Sequence, residues 1–118
     1  MPESIRARAV RTFAAAFATC DVDTIVGFVD ENLVWEFNGE KVGEGRAAFE
    51  ERMRADLAQG SAEVSIEQLI EDPDSDTLVA LNRGRLVPNE GEPMPFVSAE
   101  AYTFTGDKIS RMQTYQPS

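Results

Sequence analysis

The sequence predicts an α+β domain in which three N-terminal helices pack on a curved antiparallel β-sheet. Apolar residues recur at helical spacing through the first half of the chain and alternate through the second. Short, turn-rich connections separate the later runs, so consecutive strands should pair antiparallel. The length of 118 residues, with 42% apolar and 27% charged residues, fits one domain. Such a chain buries roughly two thirds of the surface its unfolded form exposes.

Taken in order, Ser4 can cap a first helix whose apolar positions are Ile5, Val10, Phe13 and Phe17, with alanines between them and an end near Thr19. Asp21 offers a second cap, followed by a short stripe of Val22, Ile25, Val26 and Val29. Asp30-Glu31-Asn32 interrupts the pattern before Leu33 to Phe37, whose β-branched and aromatic content predicts a strand. Residues 38–45 contain Gly39, Gly43 and Gly45 and read as a mobile loop. Arg46 to Gln59 is the third helix, with Phe49, Met53 and Leu57 on one face and Gly60 as terminator. Strands follow from Val64 to the Asp72-Pro73-Asp74-Ser75-Asp76 turn, from Thr77 to Val87, from Pro95 to Thr105, and from Lys108 to Tyr115. A sheet curved around helices leaves a cavity open at one end, a common place for a small ligand.

Composition removes several function classes. With 21 acidic and 11 basic residues the formal charge is −10, which repels phosphate backbones and anionic lipid, so neither nucleic acid nor membrane is an expected partner. The longest apolar run, Phe13 to Ala18, is far too short to span a bilayer, and the N-terminus lacks a signal-peptide pattern, so a cytoplasmic location is expected. Cys20 is the only cysteine and there is no histidine. An intrachain disulfide, Ser-His-Asp and Cys-His catalysis and His-metal chemistry are thereby excluded, and no cofactor or metal is expected. Asp72, Asp74 and Asp76 lack the glycine and terminal glutamate of a calcium loop and read as a polar turn. Cys20 reads as a buried small side chain.

Four stretches taken together resemble the nuclear-transport-factor-2-like superfamily, specifically its SnoaL-like and ketosteroid-isomerase-like branch. They are Phe13-Ala14-Ala15-Ala16-Phe17 leading into Asp21-Val22-Asp23, Phe28 to Phe37, Gly43 to Glu50, and Tyr102-Thr103-Phe104-Thr105-Gly106-Asp107-Lys108-Ile109. In this order they cover nearly the whole chain. The resemblance implies a cystatin-like α+β cone, a pocket lined by the inner sheet face, and a homodimer packed through the outer face. It does not imply one activity, because this fold hosts isomerases, cyclases, dehydratases, epoxide hydrolases and plain binding modules.

The ketosteroid-isomerase pattern of a tyrosine, an aspartate base and a carboxylic acid falls on Phe13, Phe37 and Glu100 in this sequence. Only the last keeps its chemical type, so the steroid-type proton shift is not expected. Strand alternation places Glu100 on one face with Phe96, Ser98, Tyr102 and Phe104. A carboxyl on that aromatic face can serve as an acid-base group; alternatively it pairs with Arg83 or Arg85 on a neighbouring strand. The expected pocket wall comprises Phe13, Phe17, Trp35, Phe37, Phe49, Met53, Phe96, Ser98, Tyr102, Met112, Thr114 and Gln116. Arg83 and Arg85 themselves read as solvated surface.

Two functions stand on this basis. One is a small-molecule-binding module with an apolar pocket, without catalysis. The other is a cofactor-free enzyme of isomerase, cyclase, dehydratase or epoxide-hydrolase type, acting on a small apolar carbonyl or polyketide-like substrate with Glu100 as acid-base group and Tyr102 or Gln116 assisting. Cavity size bears on the choice, since a pocket below roughly 300 Å³ is small for a drug-sized ligand.

Overall fold

The computed structural model describes residues 3–117. Helix α1 spans Ile5–Ala16 and α2 spans Val22–Gly27; strands β1 (Val29–Phe37) and β2 (Glu40–Glu44) precede helix α3 (Arg46–Ala58). Strands β3 (Gly60–Glu71), β4 (Thr77–Pro88), β5 (Met94–Thr105) and β6 (Lys108–Tyr115) complete the chain. They form one six-stranded sheet in the order β2-β1-β6-β5-β4-β3. The last four strands are a meander of antiparallel hairpins, while β1 lies parallel to β6. The helices cover one face of the sheet, giving the α+β layering expected from the sequence.

The predicted caps form. Ser4 Oγ accepts from the Ala7 amide at 3.0 Å, and Asp21 Oδ1 accepts from the Thr24 amide at 3.2 Å while its other oxygen takes the Thr24 hydroxyl at 2.7 Å. These bonds satisfy amides that the first helical turn leaves unpaired, and those to Thr24 hold the Asp21 carboxyl below its ordinary range. Helix α1 buries Ala7, Val10, Phe13 and Ala14 against the sheet and leaves Ile5 exposed. Ala7, Val10 and Phe13 join Ile25, Leu33, Phe49, Leu78, Tyr102, Phe104 and Ile109 in one core cluster.

Three local expectations are corrected. Strand β1 begins at Val29 rather than Leu33, because Asp30 to Asn32 form an irregularity within the β1–β6 ladder, where the Asn32 amide bonds Asp30 Oδ1 at 2.8 Å. Residues 40–44, read as loop, form edge strand β2 paired antiparallel to β1. Gly43 is favoured there by close approach: a Cβ at this position would clash with the Trp35 ring. Cys20 is exposed, not buried, because the chain turns through a left-handed conformation (φ 54°) at that residue between α1 and α2.

On the helix-free face, residues opposite one another across the ladders form rows: Leu81, Ala99 and Tyr115; Ile70, Val79 and Ala101; Arg83 and Val97. Ile70, Leu81, Val97 and Tyr115 are exposed there. No helix among the described residues is long and apolar enough to cross a membrane.

Candidate functional site

The site grows out of the inner face of β4, β5 and β6. Strand alternation turns Leu78, Ala80 and Asn82 of β4, and Phe96, Ser98, Glu100, Tyr102 and Phe104 of β5, toward the helices. Gly84 continues the β4 row, and its missing side chain leaves room for the Phe96 ring, which a Cβ would meet at 2.9 Å. Glu100 stands opposite Ala80 on one side and Thr114 on the other.

Three donors converge on the Glu100 carboxylate. The Tyr102 hydroxyl donates to Oε2 at 2.6 Å, Asn82 Nδ2 donates to the same oxygen at 3.2 Å, and the Thr114 hydroxyl donates to Oε1 at 2.9 Å. Asn82 also donates to Ser98 Oγ at 3.3 Å. The carboxylate fixes the amide's orientation, since the flipped form would set a carbonyl oxygen against a carboxylate oxygen. Asn82 is 5% exposed, and its Oδ1 is buried with no partner among the described residues. Tyr102 is buried with its ring edge-on to Phe13, the centroids 5.9 Å apart. Burial first, then the charge of Glu100 and the bond to it, push the Tyr102 phenol well above its ordinary range, so at neutral pH it is a donor.

Two chambers meet at this carboxylate. The inner one, about 160 Å³, is lined by Ala14, Phe17, Ala62, Val64, Asn82, Phe96, Ser98, Glu100, Tyr102, Thr114 and Gln116. The outer one, about 520 Å³, is lined by Phe17, Phe37, Met53, Leu57, Leu86, Met94 and neighbouring residues of the α3–β3 and β4–β5 connections, and also by Glu100 and Thr114. The inner chamber alone is below the size of a drug-sized ligand site; the outer one is not.

Of the residues expected to line a pocket, Phe17, Phe96, Ser98, Tyr102, Thr114 and Gln116 border the inner chamber and Phe37 and Met53 the outer. Phe13, Trp35, Phe49 and Met112 do not. Phe13, Phe49 and Met112 are core residues at most 7% exposed, and Trp35 packs edge-on against Phe49 with centroids 5.4 Å apart. Pairing of Glu100 with Arg83 or Arg85 is overturned by strand parity. Both arginines project from the opposite face, Arg83 to Glu67 at 3.0 Å and Arg85 to Glu63 at 2.6 Å. Asn82 was missed in the sequence, although its alternation with Leu78 and Ala80 marks it as a polar residue on a buried face. The aspartate turn holds Asp76 against Arg6 at 2.8 Å, and no cluster of metal-binding side chains occurs among the described residues.

A model of the SnoaL-like domain matches residues 10–112, and the chain belongs to that family. No curated protein matches it in sequence. Its fold is similar to that of an M. tuberculosis LEH-like epoxide hydrolase, with a TM-score of 0.85, 21% identity, and coverage of 98% of this chain and 86% of the other. An uncharacterized cystatin fold protein from Novosphingobium aromaticivorans aligns with a TM-score of 0.80, 22% identity, and coverage of 96% and 98%. A computationally designed 17-OHP binder aligns with a TM-score of 0.85, 14% identity, and coverage of 96% and 93%. Identities this low establish a shared cystatin-like, nuclear-transport-factor-2-like fold; one neighbour is named as an enzyme and another as a binder.

Proposed function

We propose that this chain binds a small apolar molecule across the two chambers, with Glu100 accepting a hydrogen bond from it. The observation that carries this reading is that Glu100, held by three donors, borders both chambers. A carboxylate offers about four acceptor positions, and three are used. Apolar walls supply most of the binding energy and one fixed polar group supplies orientation, the usual division of labour in such sites.

A panel of small ketones, epoxides and steroids, followed by protein-observed NMR, tests it. Resonances of Phe17, Glu100 and Thr114 should shift together on saturable binding. A panel that leaves these residues unmoved overturns the reading.

A second reading is catalytic, and the unused acceptor position on Glu100 Oε1, beside the Thr114 hydroxyl, favours it. A ligand proton placed there lies within reach of a general base, with Tyr102 kept protonated as a neutral donor. In this reading turnover of a carbonyl or epoxide substrate is abolished by Glu100→Gln and partly kept by Glu100→Asp. Equal turnover by Glu100→Gln removes Glu100 as the base. We also propose that the helix-free sheet face joins two copies of the chain.

A further inference from the structure

The charge of the chamber walls narrows the ligand class. Among the described residues lining the two chambers there is no lysine or arginine; the charged ones are Glu100 and Asp56. Asp56 is already paired with Arg52 at 3.0 Å, one turn away on α3. Among the described residues Glu100 has only hydroxyl and amide donors, so its negative charge has no cationic partner there.

The spare acceptor capacity can be located. Oε2 receives two donors, from Tyr102 and Asn82, whereas Oε1 receives only the Thr114 hydroxyl. The open position is therefore on Oε1, beside Thr114, and these two residues border both chambers. Having donated its proton to Glu100, the Thr114 hydroxyl retains its own acceptor lone pairs. A group with several donors and no acceptor can bond both oxygens.

We propose that the chambers select an apolar amine, its ammonium head on Glu100 Oε1 and Thr114 Oγ1 and its aryl or alicyclic body along Phe17, Phe37 and Met94. This rests on the small-molecule reading above and adds the sign of the ligand's charge. An ammonium is a donor-only group, charge-assisted bonds are about twice as strong as neutral ones, and a carboxylate or phosphate ligand would meet an unopposed like charge. The chain's charge of −10 favours encounter with cations as well.

The test is isothermal titration of the full chain with naphthylethylamine, naphthylethanol and naphthylacetate, which share a body and differ in the head. The amine should bind about tenfold or more tighter than the alcohol, and the carboxylate should show no measurable binding. Glu100→Gln should erase the gap between amine and alcohol. Should that variant fail to fold, Thr114→Val, which removes the second acceptor, should narrow the same gap.

Equal affinities of amine and alcohol for the wild-type chain overturn the proposal and leave the small-molecule reading standing. Preference for the carboxylate also overturns it. An amine preference unchanged in both variants overturns the assignment to Glu100 and Thr114. Absence of binding by all three overturns both readings for aryl ligands.

Discussion

Tyr102 and Glu100 show how a buried phenol on a half-buried carboxylate sets both the polarity of the site and the chain's response to alkali. The phenol is buried, 2.6 Å from a carboxylate oxygen, and its pKa lies well above 10.0 through burial first and the carboxylate second. In the unfolded chain the same phenol ionises near pH 10. Above that pH the unfolded state sheds a proton that the folded state keeps, so stability, intact below about pH 10, falls as pH rises toward the folded value. Tyr102→Phe removes this contribution. Near neutral pH the variant should lose about 1.5–3 kcal/mol, the range for a hydrogen bond to a charged group. Its stability should then decline less steeply than the wild type's above about pH 10. Urea unfolding at a series of pH values measures both, and parallel alkaline slopes in the two proteins would contradict the assignment.

Strand β2 is an element whose stability comes from its partner rather than from its own sequence. Glu40 to Glu44 has two glutamates, a lysine and a glycine in five positions, and no local signal for a strand. Pairing with β1 creates it, and the Trp35 ring occupies the space a side chain at Gly43 would need. Gly43→Val should therefore overpack this contact and cost about 1–3 kcal/mol. Trp35 is the only tryptophan, so its fluorescence reports the event directly. Unchanged emission and unchanged thermal stability would show that β2 is held by other contacts. Elements with periodic sequences are legible by contrast: alternation predicts a strand over Lys108 to Tyr115, the bounds of β6, and one over Pro95 to Thr105, within one residue of β5. The same period-two rule assigned Ser98, Glu100 and Tyr102 to one face. Neither strand parity, for Trp35 and Met112, nor helical spacing, for Phe13 and Phe49, separates these residues from the pocket wall, because periodicity fixes which face a residue occupies and not how deep in the cone it lies. Asn82 carries no charge to mark it beside Arg83 and Arg85, which lie on the other face, and only its parity with Leu78 and Ala80 signals a polar residue on the buried face.

At the scale of the whole molecule, the sheet has one face covered by helices and one bare. Leu81 is 37% exposed, Val97 40%, Ile70 46% and Tyr115 48%, and Ala99 and Ala101 keep the surface between them low. Ion pairs border this area: Arg83–Glu67, Arg85–Glu63, and Arg111–Glu36 at 2.7 Å. Each is satisfied within the chain, so a second copy needs to neutralise no isolated charge on docking. A bare apolar field with a polar rim suits an isologous two-fold contact, in which every residue enters twice. We expect sedimentation equilibrium to give twice the 13.0 kDa chain mass. Leu81→Glu, placing a carboxylate on the bare face of both copies, should return the chain to monomer without altering its helix content. The charge of −10 on each copy opposes association, and added salt screens that repulsion. The dimer should accordingly tighten as ionic strength rises, whereas an interface held by intermolecular ion pairs would loosen. A wild-type chain that sediments at the monomer mass across this salt range would leave the bare face without the proposed partner.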